Sequence, residues 1–562
     1  MKINNGSSIK PGDIKDIISQ LDLKDKVGQM LMVGFSGKEI TSELQKLLEQ
    51  YKFGGVIYFA RNLESPQQVF KLSQKLHKLV GEITGLPLLL AADEEGGIVT
   101  RIPAMTYYPG GMCWGAAAEK QILEKMAASK AKQLRYLGIN HNLSPVLDVN
   151  NNPQNPIIGN RSMGSDPGQV AKLGQAYIRG LQSEGVAACG KHFPGHGDTT
   201  VDSHHDLPVM EHDQNRLHEL ELIPFKVAIK AGVASIMSAH LALPALTGDR
   251  NKPATLSPEV INELLREKLN FSGLIITDCL EMQGISKLLS PAEGAVRAIE
   301  AGCDIALISH SSSWQSKAAE KLIKAVRAGR IPEERIDKSL ERIINLKIKV
   351  AREYSQSATY SEEKFAHLRQ RGNKIAREIA GKAITSFPNT ADYLPLKPEK
   401  ISSLWLIDIE GRKDKAVVEK GSKGKERQYI KALAAELAQA DFKVKSLSGG
   451  WQQKLKKLLE ETHKSYQPGE ANQPAIIVLL KEVEKNLADY SILKELAQSS
   501  LPAVFIVQDS PYCLRALKEA EILVAYDSSS AHITPLAEII CGELKAAGNI
   551  PVDLGEEKNL CC

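Results

Sequence analysis

The chain has 562 residues, 43% hydrophobic and 25% charged, which makes it too long for one ordinary domain and too apolar to be disordered. Its 71 basic and 67 acidic side chains leave a formal net charge of +4, which offers no general field for nucleic acid or an anionic membrane. Eight cysteines without a CxxC spacing exclude a disulfide scaffold, and no apolar run approaches the ~20 residues of a membrane span. The opening MKINNGSSIKPGDIKDII lacks a signal-peptide core, so the expected location is cytoplasmic, or secreted or cell-wall-associated if a leader has been removed. The terminal Cys561 and Cys562 do not match a prenylation box and read as exposed thiols.

Apolar runs of strand length occur at 28–35, 54–62, 87–95, 142–150, 186–193, 234–240, 273–278 and 303–309. Most are continuous rather than alternating, as strands buried on both faces of a parallel sheet are. Helical spacings separate them. Ile40, Leu44, Leu47 and Leu48 precede the second run, and Ile261, Leu264, Leu265 and Leu269 precede the seventh, with Ser257 expected as N-cap and Pro258 at the first helical position. Eight such alternations predict a (β/α)8 TIM barrel. A long helical pattern follows from Ile331 to about Ala366, and the Pro388, Pro395 and Pro398 segment marks a crossing. The predicted division is 1–385 for the barrel with its trailing helices and 386–562 for a second domain. There, runs at 404–409, 442–447, 475–480, 503–508 and 522–527 alternate with helices such as that carrying Ile430, Leu433 and Leu437, predicting a doubly wound α/β/α sandwich. Neither domain has a G-x-G-x-x-G or P-loop pattern, and the basic run from Arg412 to Arg427 lacks interleaved aromatics, so it reads as a solvated loop.

Several barrel runs close on a polar residue: Arg61, Asp93, Asp148, Lys191 with His192, His240 and Asp278. In a parallel barrel these ends share one face, where active sites of this fold sit, so convergence is expected. The densest cluster is KHFPGHGDTTVDSHHDLP, Lys191 to Pro208. Two chemistries fit it. His192, His196, Asp198 and His204 could ligate a divalent metal, although Pro194 and Gly195 prevent a helical i, i+4 pair. Alternatively, Asp202 and His204, two apart on an extended loop, could form a pair in which the carboxylate orients the imidazole as general acid and base.

This loop resembles the signature of the bacterial family 3 glycoside hydrolases that act as β-N-acetylglucosaminidases, in which it carries an Asp-His dyad. DEEGG at 93–97, SPVLDVNNNPQNPIIGNRSMGSDP at 144–167, MSAHLALPAL at 237–246 and PATLSPEVINELLREKLNFSGLIITDCLEM at 253–282 extend the resemblance through the barrel in the same order. The resemblance implies Asp278 as nucleophile, His204 with Asp202 as acid/base dyad, and Asp93, Arg161, Lys191 and His192 as holders of the terminal N-acetylglucosamine. It implies an exo-acting enzyme that retains configuration through a glycosyl-Asp278 intermediate, on a small glycan or muropeptide from peptidoglycan turnover, with no cofactor and no metal. Cys279 after the nucleophile, Ile98 after DEEGG and Met163 in RSMG depart from the commonest pattern.

Four alternatives accompany this expectation: a phosphorylase that transfers the sugar to phosphate, a β-glucosidase of the same family, a metal-dependent barrel hydrolase, and a non-catalytic sugar binder. The 5% aromatic content, with tryptophans only at 114, 314, 405 and 451 and none in the motif loops, fits a small pocket better than a long stacking groove.

Overall fold

The eight apolar runs form eight parallel strands: β1 (Leu31–Val33), β2 (Gly55–Tyr58), β3 (Leu89–Ala92), β4 (His141–Asn142), β5 (Ala187–Phe193), β6 (Ser235–Ser238), β7 (Leu274–Cys279) and β8 (Ile305–Ile308). The computed structural model describes residues 11–203, 206–352, 359–387, 393–410, 426–447, 451–465, 472–481, 491–517 and 520–554. The strands pair in sequence order and β1 closes on β8, so the barrel has no free edge. Every residue of β1, β2, β3 and β8 is buried, because side chains of one face fill the barrel and those of the other meet the surrounding helices.

Three expectations change in detail. The 142–150 run is strand only at its first residue, since Pro145 offers no N–H to a ladder and the chain turns off to build the site. The pattern from Ile331 to Ala366 is two helices, Glu333–Arg352 and Glu362–Ala383. Ser257 does not cap the helix that follows; its hydroxyl donates to the Glu259 carboxylate, and the helix Glu259–Lys268 winds with wide π-type turns.

A second, six-stranded sheet contains β9 (Thr385–Phe387), β10 (Ile401–Glu410), β11 (Val444–Leu447), β12 (Gln473–Lys481), β13 (Ala503–Val507) and β14 (Glu521–Val524), in the order β11-β10-β12-β13-β14-β9. β9 is antiparallel to β14 and was not foreseen, being three residues directly after a helix. The sheet is covered on both faces. Along β12, Ile476, Val478 and Leu480 enter one apolar cluster while Ala475, Ile477 and Leu479 enter another. The first of these clusters also takes in Met112, Cys113 and Ala116 from the barrel's helix Gly111–Ala117, so the two domains share a core. Residues 411–425 and the terminal cysteines lie outside the described residues.

At the base of the barrel, Asp304 enters β8 fully buried. Its carboxylate accepts from Arg266 Nη2 at 2.8 Å, Ile275 N at 2.9 Å, Ser339 Oγ at 2.6 Å and Arg342 Nη1 at 3.0 Å, tying two outer helices to the strands. Removing it leaves the partly buried guanidinium groups of Arg266 and Arg342 uncompensated and the Ser339 hydroxyl and Ile275 N–H without their acceptor. Asp304→Ala should therefore destabilise the chain by about 2–4 kcal/mol, read as a lower Tm, while KM of the surviving folded protein stays within about twofold because the residue lies on the face away from the strand C-termini.

Candidate active site

The C-terminal ends of the barrel strands carry a continuous network of charged side chains. Lys191 on β5 donates to Asp93 Oδ1 and Glu95 Oε1, both at 2.7 Å. Glu95 in turn receives a two-pronged contact from Arg161, Nη2 to Oε1 at 2.7 Å and Nε to Oε2 at 2.9 Å. The planar guanidinium matches the carboxylate fork, which fixes orientation as well as charge. Arg161 Nη2 lies 3.4 Å from His192 Nε2, and His192 Nδ1 lies 2.7 Å from Asp148 Oδ2. Asp148 also accepts from the backbone N–H of His192 at 3.1 Å and of His196 at 2.7 Å. An ionised carboxylate can only accept, so His192 donates to it from Nδ1 and turns Nε2 toward Arg161.

Nearly all of this network is buried, with side-chain exposures of 3% for Lys191 and 6% for both Arg161 and Glu95; Asp93, at 20%, is its open edge. Burial alone would raise the Glu95 pKa, but Arg161 and Lys191 outweigh it and hold the carboxyl well below the usual range. Asp148 behaves likewise: burial opposes ionisation, and His192 and His196 reverse the effect. Burial also works against the charge of Lys191, and Asp93 and Glu95 more than restore it.

Behind the network, Lys130 is fully buried in the helix Lys120–Tyr136 and donates to the carbonyl oxygens of Glu94 at 2.9 Å and Glu95 at 2.7 Å and to Tyr177 Oη at 3.0 Å. The rings of Tyr108, Trp114 and Tyr177 surround its ammonium at 5.3–5.6 Å. The Glu94 carboxylate accepts from the N–H groups of Arg101 and Ile102, both at 2.6 Å. Burial raises the pKa of Glu94 and lowers that of Lys130, against the attraction between the two.

Asp278 ends β7 half-buried, with Oδ1 accepting from Cys279 N at 2.7 Å. It lies within electrostatic reach of the Cys189 thiol, as do Lys191 and Asp93, which brings β3, β5 and β7 to one place. His240, buried below, holds this strand end through Nε2, 3.0 Å from the Cys279 carbonyl, and through Nδ1, 2.8 Å from Thr255 Oγ1. The Cys279 thiol lies 2.9 Å from Ser309 Oγ and burial pushes it up to about 12, so it stays uncharged beside Asp278. Arg61 donates to the carbonyls of Phe35 at 2.9 Å and Ser309 at 2.6 Å and so braces the β1 and β8 loops.

Asp202 occupies the loop after β5; His204, expected to be its partner, lies outside the described residues, with His205. The neighbouring residues of that loop are fastened. Asp206 N donates to the Asp202 carbonyl at 3.1 Å, and Gly284 N, six residues past Asp278, donates to the Ser203 carbonyl at 3.1 Å. A Cβ on Gly284 would stand 3.2 Å from that same oxygen, so glycine permits the β5 loop to seat on the segment following β7. His196 Nδ1 is 2.7 Å from Thr199 Oγ1 and its Nε2 is 3.1 Å from Ser203 Oγ. Burial pushes His196 down to about 4, which makes it a neutral brace for the loop. The metal-ligand set thus finds its three described members turned to separate partners: His192 to Asp148, His196 to Thr199 and Ser203, and Asp198 to His212 and Arg216. Among the described residues no group of three or more His, Cys, Asp or Glu side chains stands ready to hold a metal ion.

Of the residues singled out from the sequence, Asp93, Arg161, Lys191 and His192 form one hydrogen-bonded cluster. Sequence reasoning missed its hub, Glu95, although Asp93 and Glu95 stand two apart in DEEGG and so share a side of an extended segment. It noted Asp148 as a strand end without giving it a task, and it did not see Lys130.

The comparisons with known proteins agree with this architecture. Residues 22–346 match the family model described as the glycosyl hydrolase family 3 N terminal domain. A protein of Pseudoalteromonas piscicida named β-hexosaminidase A is 36% identical over 377 residues, covering 63% of this chain and 62% of that protein. A Cellulomonas fimi protein named β-N-acetylglucosaminidase/β-glucosidase is 27% identical over 486 residues, 83% of this chain and 84% of its own. Among solved structures, a glycoside hydrolase family 3 β-N-acetylglucosaminidase from Paenibacillus sp. str. FPU-7 superposes with a TM-score of 0.83 at 36% identity, covering 95% of this chain and 99% of that one.

Glu95→Ala should destabilise the chain by about 3–5 kcal/mol, since Arg161 and Lys191 remain buried around the vacated place. The depressed pKa values of Glu95 and Asp148 mean that their folded-state interactions contribute fully above the unfolded-state values of about 4 and fade as pH falls below them. Thermal melts between pH 7 and pH 3 should show the wild type losing stability below about pH 4 and Glu95→Ala losing less over that range; equal losses would contradict this origin of the acid sensitivity.

Proposed function

The chain belongs to glycoside hydrolase family 3, and from that membership we propose that it is a retaining exo-β-N-acetylglucosaminidase acting on short glycans such as peptidoglycan fragments, through a glycosyl-Asp278 intermediate and an Asp202–His204 acid/base dyad. The observation that carries this reading is the Asp93–Lys191–Glu95–Arg161 network at the strand ends beside Asp278, on the face where this fold reacts. The Pseudoalteromonas and Paenibacillus proteins, named for hexosaminidase and N-acetylglucosaminidase activity, support the choice of sugar.

In the first step an Asp278 oxygen attacks the anomeric carbon; the C–O bond to the leaving group breaks as His204 gives its proton to that oxygen. In the second, His204 takes a proton from water, whose oxygen displaces Asp278 with a second inversion, so configuration is retained. A histidine acid replaces one member of the usual carboxyl pair, so the ~5 to 5.5 Å spacing rule for retaining enzymes does not apply unmodified. Asp202 orients the imidazole and supports its cationic form. Lys191, Arg161, Asp93 and His192 hold the sugar hydroxyls. Trp114, stacked on Tyr177 with centroids 4.9 Å apart, is packed in the interior, in keeping with a small pocket.

The test is turnover of aryl β-N-acetylglucosaminides and the matching glucosides, with and without chelator. Wild type should prefer the N-acetylated substrate and be indifferent to chelator, and Asp278→Asn should lose at least about 10³-fold in kcat; undiminished turnover in that variant would sink the reading. His204→Ala should lose about 10²-fold to 10⁴-fold on poor leaving groups and much less on activated aryl ones. A preference for the glucoside, an activity the Cellulomonas name includes, would reassign the sugar.

A further inference from the structure

The second domain reaches the barrel through polar groups at the C-terminal ends of its own strands. Two residues past β13, Asp509 Oδ1 accepts from Asn160 Nδ2 at 2.8 Å, and Asn160 is the neighbour of Arg161. Three residues past Asp509, Tyr512 Oη accepts from Asn150 Nδ2 at 2.7 Å, two residues beyond Asp148. Three residues past β14, Asp527 Oδ2 accepts from the buried N–H of Gly110 at 2.9 Å. Asp527 is itself held by Ser529 N at 2.7 Å and by His532 Nδ1 at 3.3 Å, with His532 Nε2 3.5 Å from the Cys113 thiol.

These contacts surround one short turn. Arg161 ends the 3-10 turn Gly159–Arg161, whose N–H bonds back to the Ile158 carbonyl at 2.8 Å. From the barrel side, Asn155 Nδ2 donates to the carbonyls of His196 at 2.8 Å and Gly197 at 3.0 Å, while its Oδ1 accepts from Ile157 N and Ile158 N. Beneath it, Gly111 lies so close that a Cβ would stand 2.0 Å from the Arg161 carbonyl oxygen. From the far side the turn meets Asp509 through Asn160. A guanidinium that must meet Glu95 in a two-pronged geometry tolerates little displacement of its backbone, and a site displaced by 1 Å can lose catalytic efficiency by orders of magnitude.

We propose that the second domain positions the sugar-binding arginine: Asp509, acting through Asn160, is a positioning residue that sets the Arg161 turn. Asp527 supports the same turn from below through Gly110 and Gly111. The C-terminal edge of a doubly wound sheet, where such folds place their ligands, is here used to grip two barrel loops. This inference rests on the role proposed for Arg161 in binding sugar, and its test includes one measurement that does not depend on that role.

In the full chain, Asp509→Ala should raise KM for an aryl β-N-acetylglucosaminide about fivefold to tenfold with kcat changed less than about twofold. Asp509→Asn, which keeps an acceptor oxygen, should restore KM to within about twofold of wild type. Asn160→Ala should reproduce the Asp509→Ala effect, and the double variant should be no worse than either single one. Hydrogen–deuterium exchange read on peptides covering residues 156–163 should accelerate in Asp509→Ala and recover in Asp509→Asn. An unchanged KM and unchanged exchange in Asp509→Ala would overturn the proposal, as would additive single-variant effects. A wild type without turnover would instead refute the enzymatic reading, and the exchange data alone would then decide whether Asp509 sets the turn.

Discussion

The candidate site is organised around one carboxylate. Glu95 accepts two hydrogen bonds from Arg161 and one from Lys191 in a place almost closed to water. Two cations cannot be buried there without it, because desolvating an ammonium or a guanidinium costs several kcal/mol unless a counter-charge with good geometry is present. The other groups follow from that requirement. Asp93 gives the second cation, Lys191, a further counter-charge, and Lys130 holds the Glu94 and Glu95 carbonyls so that the Glu95 side chain leaves the strand end in one direction. Asp148, fixed by two backbone N–H groups and His192, places the imidazole against the other side of Arg161.

Such a cluster demands close backbone approach, which determines several residues outside it. A Cβ on Gly197 would stand 1.8 Å from the Val149 carbonyl oxygen, and on Gly111 2.0 Å from that of Arg161. These glycines let the β3, β4 and β5 loops pack on one another without spacer atoms. The shared apolar core formed by Met112, Cys113 and Ala116 with the second domain continues the same logic outward, since the helix that abuts Arg161 is seated on that domain's sheet.

Much of the barrel was legible because burial on both faces writes continuous apolar runs, and all eight appear as strands. The second sheet was equally readable where strands were central. Its edge β9 was not, since Thr385–Phe387 is three residues long with an exposed middle and carries no period to detect. In the site, residues at strand ends were visible and residues acting at a distance were not. Lys130 sits among Lys125, Lys132 and Arg135 in a helix rich in charge. Only its register with Met126, Ala127, Ala131 and Leu134, all buried, distinguishes it from a solvated lysine. Asp509 and Asp527 had no local signal at all, because their partners Asn160 and Gly110 are 349 and 417 positions away.

Near-neutral net charge and a densely charged site are compatible for a physical reason. The sugar proposed as substrate is neutral and has no charge to attract, so a broad field would add nothing, whereas its hydroxyls need donors and acceptors at set angles. Ion pairs formed within the protein supply those angles before any ligand arrives, and they cancel one another at a distance. The exposures of the cluster fit that use: Lys191, Arg161 and Glu95 are withdrawn and Asp93 is the open edge. A hydroxyl meeting that edge joins a network whose geometry is already held by β3, β5 and the Arg161 turn, so little ordering remains to be done on binding. Selectivity then comes from the position of each pair, and under the role proposed for Asp509 the second domain bears on the site through the Arg161 turn.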